Sequence, residues 1–106
     1  MITWVDRLYL GEGFEKKKKL ERTKRRLNRS RFVLSAFVIT APSNRDNLFD
    51  ILDTKELLFP FLRCRNLTVY GMAKSREEAM QLLVRMVEDI YRETGALKVE
   101  EFFGQT

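Results

Sequence analysis

The chain has 106 residues, 44% hydrophobic and 33% charged, with five Gly, two Pro, no histidine and a formal net charge of +5. That balance excludes a disordered, collagen-like or low-complexity chain. It fits a single domain over residues 1–106, long enough to bury roughly two-thirds of the surface that its unfolded form exposes.

The one cysteine, Cys64, cannot form an intramolecular disulfide, and without histidine the usual zinc patterns are unavailable. The longest apolar stretch, Phe32 to Ala41, is interrupted by Ser35 and Thr40 and falls well short of the ~20 residues of a spanning helix. The opening MITWVDRLYLGEG lacks a basic stretch followed by an apolar one, as a secretory leader would have. A cytoplasmic protein with no membrane association is the expectation.

Charge is unevenly spread. Residues 16 to 31, KKKKLERTKRRLNRSR, hold ten Lys or Arg and one acid, Glu21, so they carry +9 and the rest of the chain −4.

Residues 2 to 10, ITWVDRLYL, read as a strand with Ile2, Trp4, Leu8 and Leu10 on one face and Val5 and Tyr9 on the other. Asp6 breaks the pattern, and Gly11 and Gly13 end it. A helix is expected over about 14 to 28, because Lys, Glu, Arg and Leu favour helix and Glu15–Lys19 and Glu21–Arg25 are favourable i,i+4 pairs. Its apolar stripe is thin, essentially Leu20 and Leu27, and Lys18, Arg22 and Arg26 stack like charges. Such a helix orders against a sheet or a partner.

Arg31 to Thr40, RFVLSAFVIT, is apolar on both faces and reads as a central strand, covered on both sides or on one side by a partner chain. Asn44 or Asp46 can cap a short helix in NLFDILD, with Leu48, Ile51 and Leu52 on one face. Residues 54 to 65 are compatible with a helical turn at their start, but Pro60 blocks a continuous helix, and the segment reads as a packed apolar loop or edge segment.

Leu67 to Ala73 is another strand. The clearest element follows: Ser75 and Glu78 fit a capping box, Gly95 fits a left-handed helix stop, and Ala79, Leu82, Leu83, Met86, Val87 and Ile90 share a face. A helix over 75 to 94 is predicted, with Leu83 and Val87 buried and Arg85 exposed. LKVEEFF, residues 97 to 103, reads as a last strand.

The expected class is α+β: a two-layer sandwich of a roughly four-stranded sheet with one long C-terminal helix. A ferredoxin-like βαββαβ arrangement with an insertion at 41–65 and another two-layer sandwich both fit this order.

Catalytic signals are sparse. The missing histidine removes the commonest general base and metal ligand. Gly11-Glu12-Gly13 matches no phosphate-loop pattern and reads as a turn. The pairs Glu77-Glu78, Glu88-Asp89 and Glu100-Glu101 read as solvated carboxylates. Cys64, between Arg63 and Arg65, reads as a buried small residue rather than an activated thiol.

RLYLGE, the Lys-rich stretch, FVITAPSN, and YGMAKSREEAMQLLVRMVEDIYRETG leading into VEEFF together resemble a group of short, uncharacterised bacterial proteins. The resemblance covers most of the chain. It implies a stand-alone bacterial protein, and implies no activity, substrate or cofactor.

Two readings of function follow. The first is a small non-enzymatic interaction module that self-associates as a homodimer through Phe59, Phe61, Leu62, Phe102 and Phe103, which one long and one short helix do not easily bury. The alternative is a nucleic-acid-binding module using Lys16, Lys17, Lys18, Lys19, Arg22, Lys24, Arg25, Arg26 and Arg29. The same cations would serve an acidic protein partner, or form a solvated face. No catalytic or metal-binding residue, cofactor or small-molecule substrate is indicated.

Overall fold

A computed structural model describes residues 2–29, 31, 33, 36–43, 46–58 and 66–104. Four strands form a mixed sheet in the order β1-β4-β2-β3, where β1 is Ile2–Leu10, β2 is Phe37–Thr40, β3 is Asp50–Asp53 and β4 is Leu67–Ala73. β1 runs parallel to β4, and β2 runs antiparallel to both β4 and β3. Among the described residues, three α-helices follow the chain: α1 is Lys17–Asn28, α2 is Arg76–Thr94 and α3 is Val99–Phe102. Short 3-10 helices occupy Glu12–Phe14 and Thr54–Leu58. Among the described residues, no helix is long and apolar enough to cross a membrane.

The α+β class and the long C-terminal helix are as expected. The ferredoxin-like arrangement is not reached, because no strand follows the long helix among the described residues and α1 and α2 lie on opposite faces of the sheet rather than on one. Both sheet faces are also covered from within the chain.

Alternation along the strands sorts side chains to the two faces. On one face Val5, Ile39 and Tyr70 pack with Ala79, Leu82, Met86 and Ile90 of α2 and with Phe102 and Phe103. On the other, Trp4, Val38, Val69 and Met72 pack with Phe14, Leu27 and Leu57. The predicted division of β1 holds: Ile2, Trp4 and Leu10 join the second cluster, and Val5 and Tyr9 the first, while Leu8 touches both.

One irregularity in β4 fits α2 to the sheet. The register runs from Ile39↔Gly71 to Thr40↔Val69, so Tyr70 is an extra residue in the ladder. Gly71 then turns its bare Cα toward α2. A Cβ there would sit 3.1 Å from Ile39 Cδ1 and 3.5 Å from Met86 Cε.

Helix α2 begins as its sequence predicts. Ser75 Oγ accepts from the Glu78 N–H at 3.1 Å. The reciprocal bond differs from the simple box: the Glu78 carboxylate accepts from the Lys74 N–H at 2.9 Å. Gly95, at φ 73°, stops the helix. Arg85 is exposed as expected, whereas Leu83 and Val87 are only half-buried, because the fully packed line is Ala79, Leu82, Met86 and Ile90.

Two elements overturn their predicted type. NLFDILD gives a strand, not a helix. Ile51 pairs with Ile39 and Leu52 with Val38, so the two point to opposite faces. Of the two predicted caps, Asn44 lies outside the described residues and Asp46 precedes the strand, which Asp50 and Asp53 bracket. Asp50 accepts from the Ser43 N–H and hydroxyl, both at 2.9 Å, and Asp53 accepts from the Lys55 N–H at 3.0 Å.

LKVEEFF turns into α3 rather than a strand. A strand would send the adjacent Phe102 and Phe103 to opposite faces. Here the Phe102 and Phe103 N–H groups bond to Lys98 and Val99 carbonyls, and both rings enter one aromatic cluster. Phe103 lies 4.6 Å from Tyr70 and 4.9 Å from Phe102 between centroids. The Arg7 guanidinium caps Phe102 at 4.2 Å and bonds Glu93 at 2.8 Å.

The strand predicted over Arg31 to Thr40 is also shorter than expected among the described residues: β2 covers Phe37–Thr40, and Arg31, Val33 and Ala36 lie outside it. Thr54 ties down the approach to it, its N–H on the Ala36 carbonyl at 3.1 Å and its hydroxyl on Val33 at 2.9 Å. The segment over 54 to 65 begins with a helical turn, the Thr54–Leu58 3-10 helix. Its remainder, with Pro60 and Cys64, lies outside the described residues.

Tyr9 links β1 to α2 through a 2.5 Å hydrogen bond from its hydroxyl to Asp89. Burial, then this bond, pushes the Tyr9 pKa up to about 12. The same bond, then Arg92, holds the Asp89 carboxyl below its ordinary value. A folded-state tyrosine pKa above its unfolded value gives stability that is full below the ordinary 10.0 and is lost as pH rises toward about 12. A lowered aspartate pKa gives stability that is lost as pH falls through the folded value. Tyr9→Phe should therefore flatten both limbs of a plot of thermal midpoint against pH, the alkaline one most. An alkaline limb identical to the parent's would refute the linkage.

Packing of α2 gives a second expectation. Ile90, with no exposed surface, should cost about 2–5 kcal/mol when changed to Ala. Arg85→Ala should stay within ~0.5 kcal/mol. Urea melts of the two variants would separate these outcomes.

Candidate nucleic-acid interface

The basic run forms the expected helix, starting at Lys17, in spite of unfavourable charge contacts. The α1 N-cap, Lys16, makes no side-chain cap bond, and no acid lies in the first turn. Lys17, Lys18 and Lys19 stand at the positive end of the helix dipole, where cations are unfavourable. At i,i+4, Lys18–Arg22, Arg22–Arg26 and Arg25–Arg29 are like-charged pairs. The expected Glu21–Arg25 pair is absent, since Glu21 turns to Lys24 at 3.8 Å.

Packing on the sheet holds α1 in place. Thr23 and Leu27 are buried and Leu20 half-buried, so these three mark its inner face. The single tryptophan, Trp4, lies beneath it and donates its indole N–H to Asn28 Oδ1 at 3.0 Å. Lys24 lies over the Trp4 ring at 5.7 Å, and Lys19 over Phe14 at 5.1 Å. These two cations are thus drawn toward the body of the protein.

The remaining cations project outward. At 100° per residue, Lys18, Arg22, Arg25 and Arg29 fall opposite Leu20, Thr23 and Leu27. Past the helix end, the Arg31 N–H bonds to the Arg26 carbonyl at 2.8 Å, which keeps Arg31 beside the last turn. Arg22, Arg25, Arg26, Arg29 and Arg31 line one shallow concavity of about 280 Å³. An adjoining concavity of about 500 Å³ is lined by Lys17, Lys18, Glu21, Arg22 and Arg25. Among the described residues, no carboxylate makes an ion pair with Arg22, Arg25 or Arg29.

Of the nine cations singled out from sequence, Lys17, Lys18, Arg22, Arg25, Arg26 and Arg29 come together. Lys16 is exposed at the entry to the helix, and Lys19 and Lys24 turn toward aromatic rings. Arg31 was missed as a site residue, and nothing local in the sequence marks the backbone turn that recruits it.

The apolar candidates fare differently. Phe102 and Phe103 are only 7% and 8% exposed, buried in the chain's own core, and so form no exposed apolar surface. The expectation had assumed that one long helix could not cover them, but α3 folds them beneath Tyr9 and Tyr70. Phe59, Phe61 and Leu62 lie outside the described residues. Among the described residues there is no metal-holding group of His, Cys, Asp and Glu. The chain matches no protein-family model, no curated protein and no solved structure.

Clustered cations cost helix stability, so removing them should be harmless to the fold. The triple variant Arg22→Gln, Arg25→Gln, Arg29→Gln breaks three like-charged i,i+4 pairs, each unfavourable by about 0.2–0.5 kcal/mol. At low ionic strength it should melt at or slightly above the parent temperature, with Trp4 fluorescence unchanged. A lower melting point would mean that these arginines hold the helix through contacts of their own.

Proposed function

We propose that this chain is a non-enzymatic module that binds nucleic acid by its phosphate backbone, without sequence preference, through the outward face of α1. The observation that carries this reading is the five-arginine concavity formed by Arg22, Arg25, Arg26, Arg29 and Arg31. A single small anion does not call for so many guanidiniums. From Lys18 to Arg29 the cations extend along eleven residues of helix, about 16 Å at 1.5 Å per residue. Over that length a duplex presents a row of phosphates, since it carries one charge per ~1.7 Å of axis.

Two further features support it. The face carries cations and no aromatic side chain, so it can track a backbone but offers no platform on which bases stack. The remainder of the chain carries −4 against +9 for residues 16 to 31. That asymmetry steers a polyanion to α1 and away from the rest of the surface.

Binding should fall steeply with salt as counterions are released. With four or five phosphates engaged, log K against log salt should slope at roughly −4, from about −0.9 per phosphate. The triple Arg→Gln variant should flatten that slope to roughly −1 to −2 and weaken unrelated duplexes alike. Lys98→Gln, an exposed cation at the start of α3 on the opposite face of the sheet, should change neither. Fluorescence anisotropy with a labelled duplex and a labelled RNA measures all of this. Failure to bind either probe at low salt would reject the proposal and leave α1 as a solvated face or a dock for an acidic protein.

A further inference from the structure

Helix α2 carries a second apolar line that the sheet does not use. Met80, Val84 and Tyr91 are 48%, 52% and 62% exposed. With the half-buried Val87 between them, they follow one another at intervals of four, three and four residues. That spacing keeps them in one row about a third of a turn from the buried row of Ala79, Leu82, Met86 and Ile90. The outward face of α1 shows what solvent-facing helix looks like in this chain, and it is charged throughout.

We infer that the outer face of α2 docks a second copy of this chain, the two α2 helices running antiparallel about a twofold axis between Arg85 and Met86. The self-complementarity of the row argues for the occupant. About that axis Met80 lies opposite the partner's Tyr91, and Val84 opposite the partner's Val87, so the same four residues make both halves of the contact.

Charge fixes the direction. Glu77, Gln81, Glu88 and Arg92 flank the row on one side. Antiparallel pairing brings Glu77 toward the partner's Arg92, twice over. It also sets the positive N-terminal end of each helix dipole beside the negative C-terminal end of the other. Parallel pairing would set like helix ends side by side and turn the Glu77 flank of one helix toward the opposite flank of the other, so both Glu77–Arg92 contacts would be lost. Because α1 and α2 cover opposite faces of the sheet, the contact leaves both α1 faces free, and it stands or falls independently of nucleic-acid binding.

Sedimentation or light scattering of the full chain across the micromolar range tests this. A concentration-dependent dimer is expected. Val84→Glu and Tyr91→Glu should each raise its dissociation constant about tenfold or more, with thermal melts of the monomer confirming that each still folds. Glu77→Arg and Arg92→Glu should each weaken the dimer, and the double exchange should recover most of the loss. A monomer at every concentration overturns the inference. So does a dimer indifferent to Val84→Glu and Tyr91→Glu, which would have to use another surface.

Discussion

The structure hangs on β4. It is the one strand that pairs on one edge with a parallel neighbour and on the other with an antiparallel one, and six of its seven residues are buried. A strand satisfied along both edges can accept nothing more in its own plane. The later elements α2 and α3 attach to a face of the sheet instead. LKVEEFF follows them there, and its aromatic pair packs over the sheet against Tyr70 of β4.

Burying β4 on both sides also separates the molecule into two halves with different chemistry. On one face α1 is held by a few apolar contacts and spends its exposed circumference on cations that repel one another. On the other, α2 has a cap at its start, a glycine at its end and an apolar sector wider than the sheet needs. Local rules are broken on α1 and over-satisfied on α2. Departures of that kind gather where a surface serves something other than the fold.

Much of this was legible in the sequence where a pattern ran long enough to define a period. The nine residues of β1 reveal both faces, and α2 declares its ends through Ser75, Glu78 and Gly95. Short elements fail for the opposite reason. Asp50–Asp53 offers only one apolar residue to each face of the sheet, and its aspartates are spent on the flanking turns. LKVEEFF alternates well up to Glu100, and only the adjacent Phe102 and Phe103 argue against a strand. At the cationic face, Leu20 and Leu27 were enough to orient the helix, while the diversion of Lys24 depends on Trp4, twenty residues earlier in the chain. Met80, Val84 and Tyr91 hid in plain sight, since one helical step from a buried row their pattern merges with it.

The irregular register of β1 has a consequence for solubility. β1 is an outer strand of the sheet, and an outer strand with a regular ladder invites another chain to add to it. Between Trp4 and Tyr9 the pairing with β4 slips, and the exposed Asp6 and Arg7 sit in the interruption. The other border, β3, is four residues long and bounded by Asp50 and Asp53. Neither border presents an unbroken run of backbone donors and acceptors to a foreign strand. A small protein whose strands are rich in Leu, Val and Ile is thereby guarded against fibre-like stacking at both borders of its sheet.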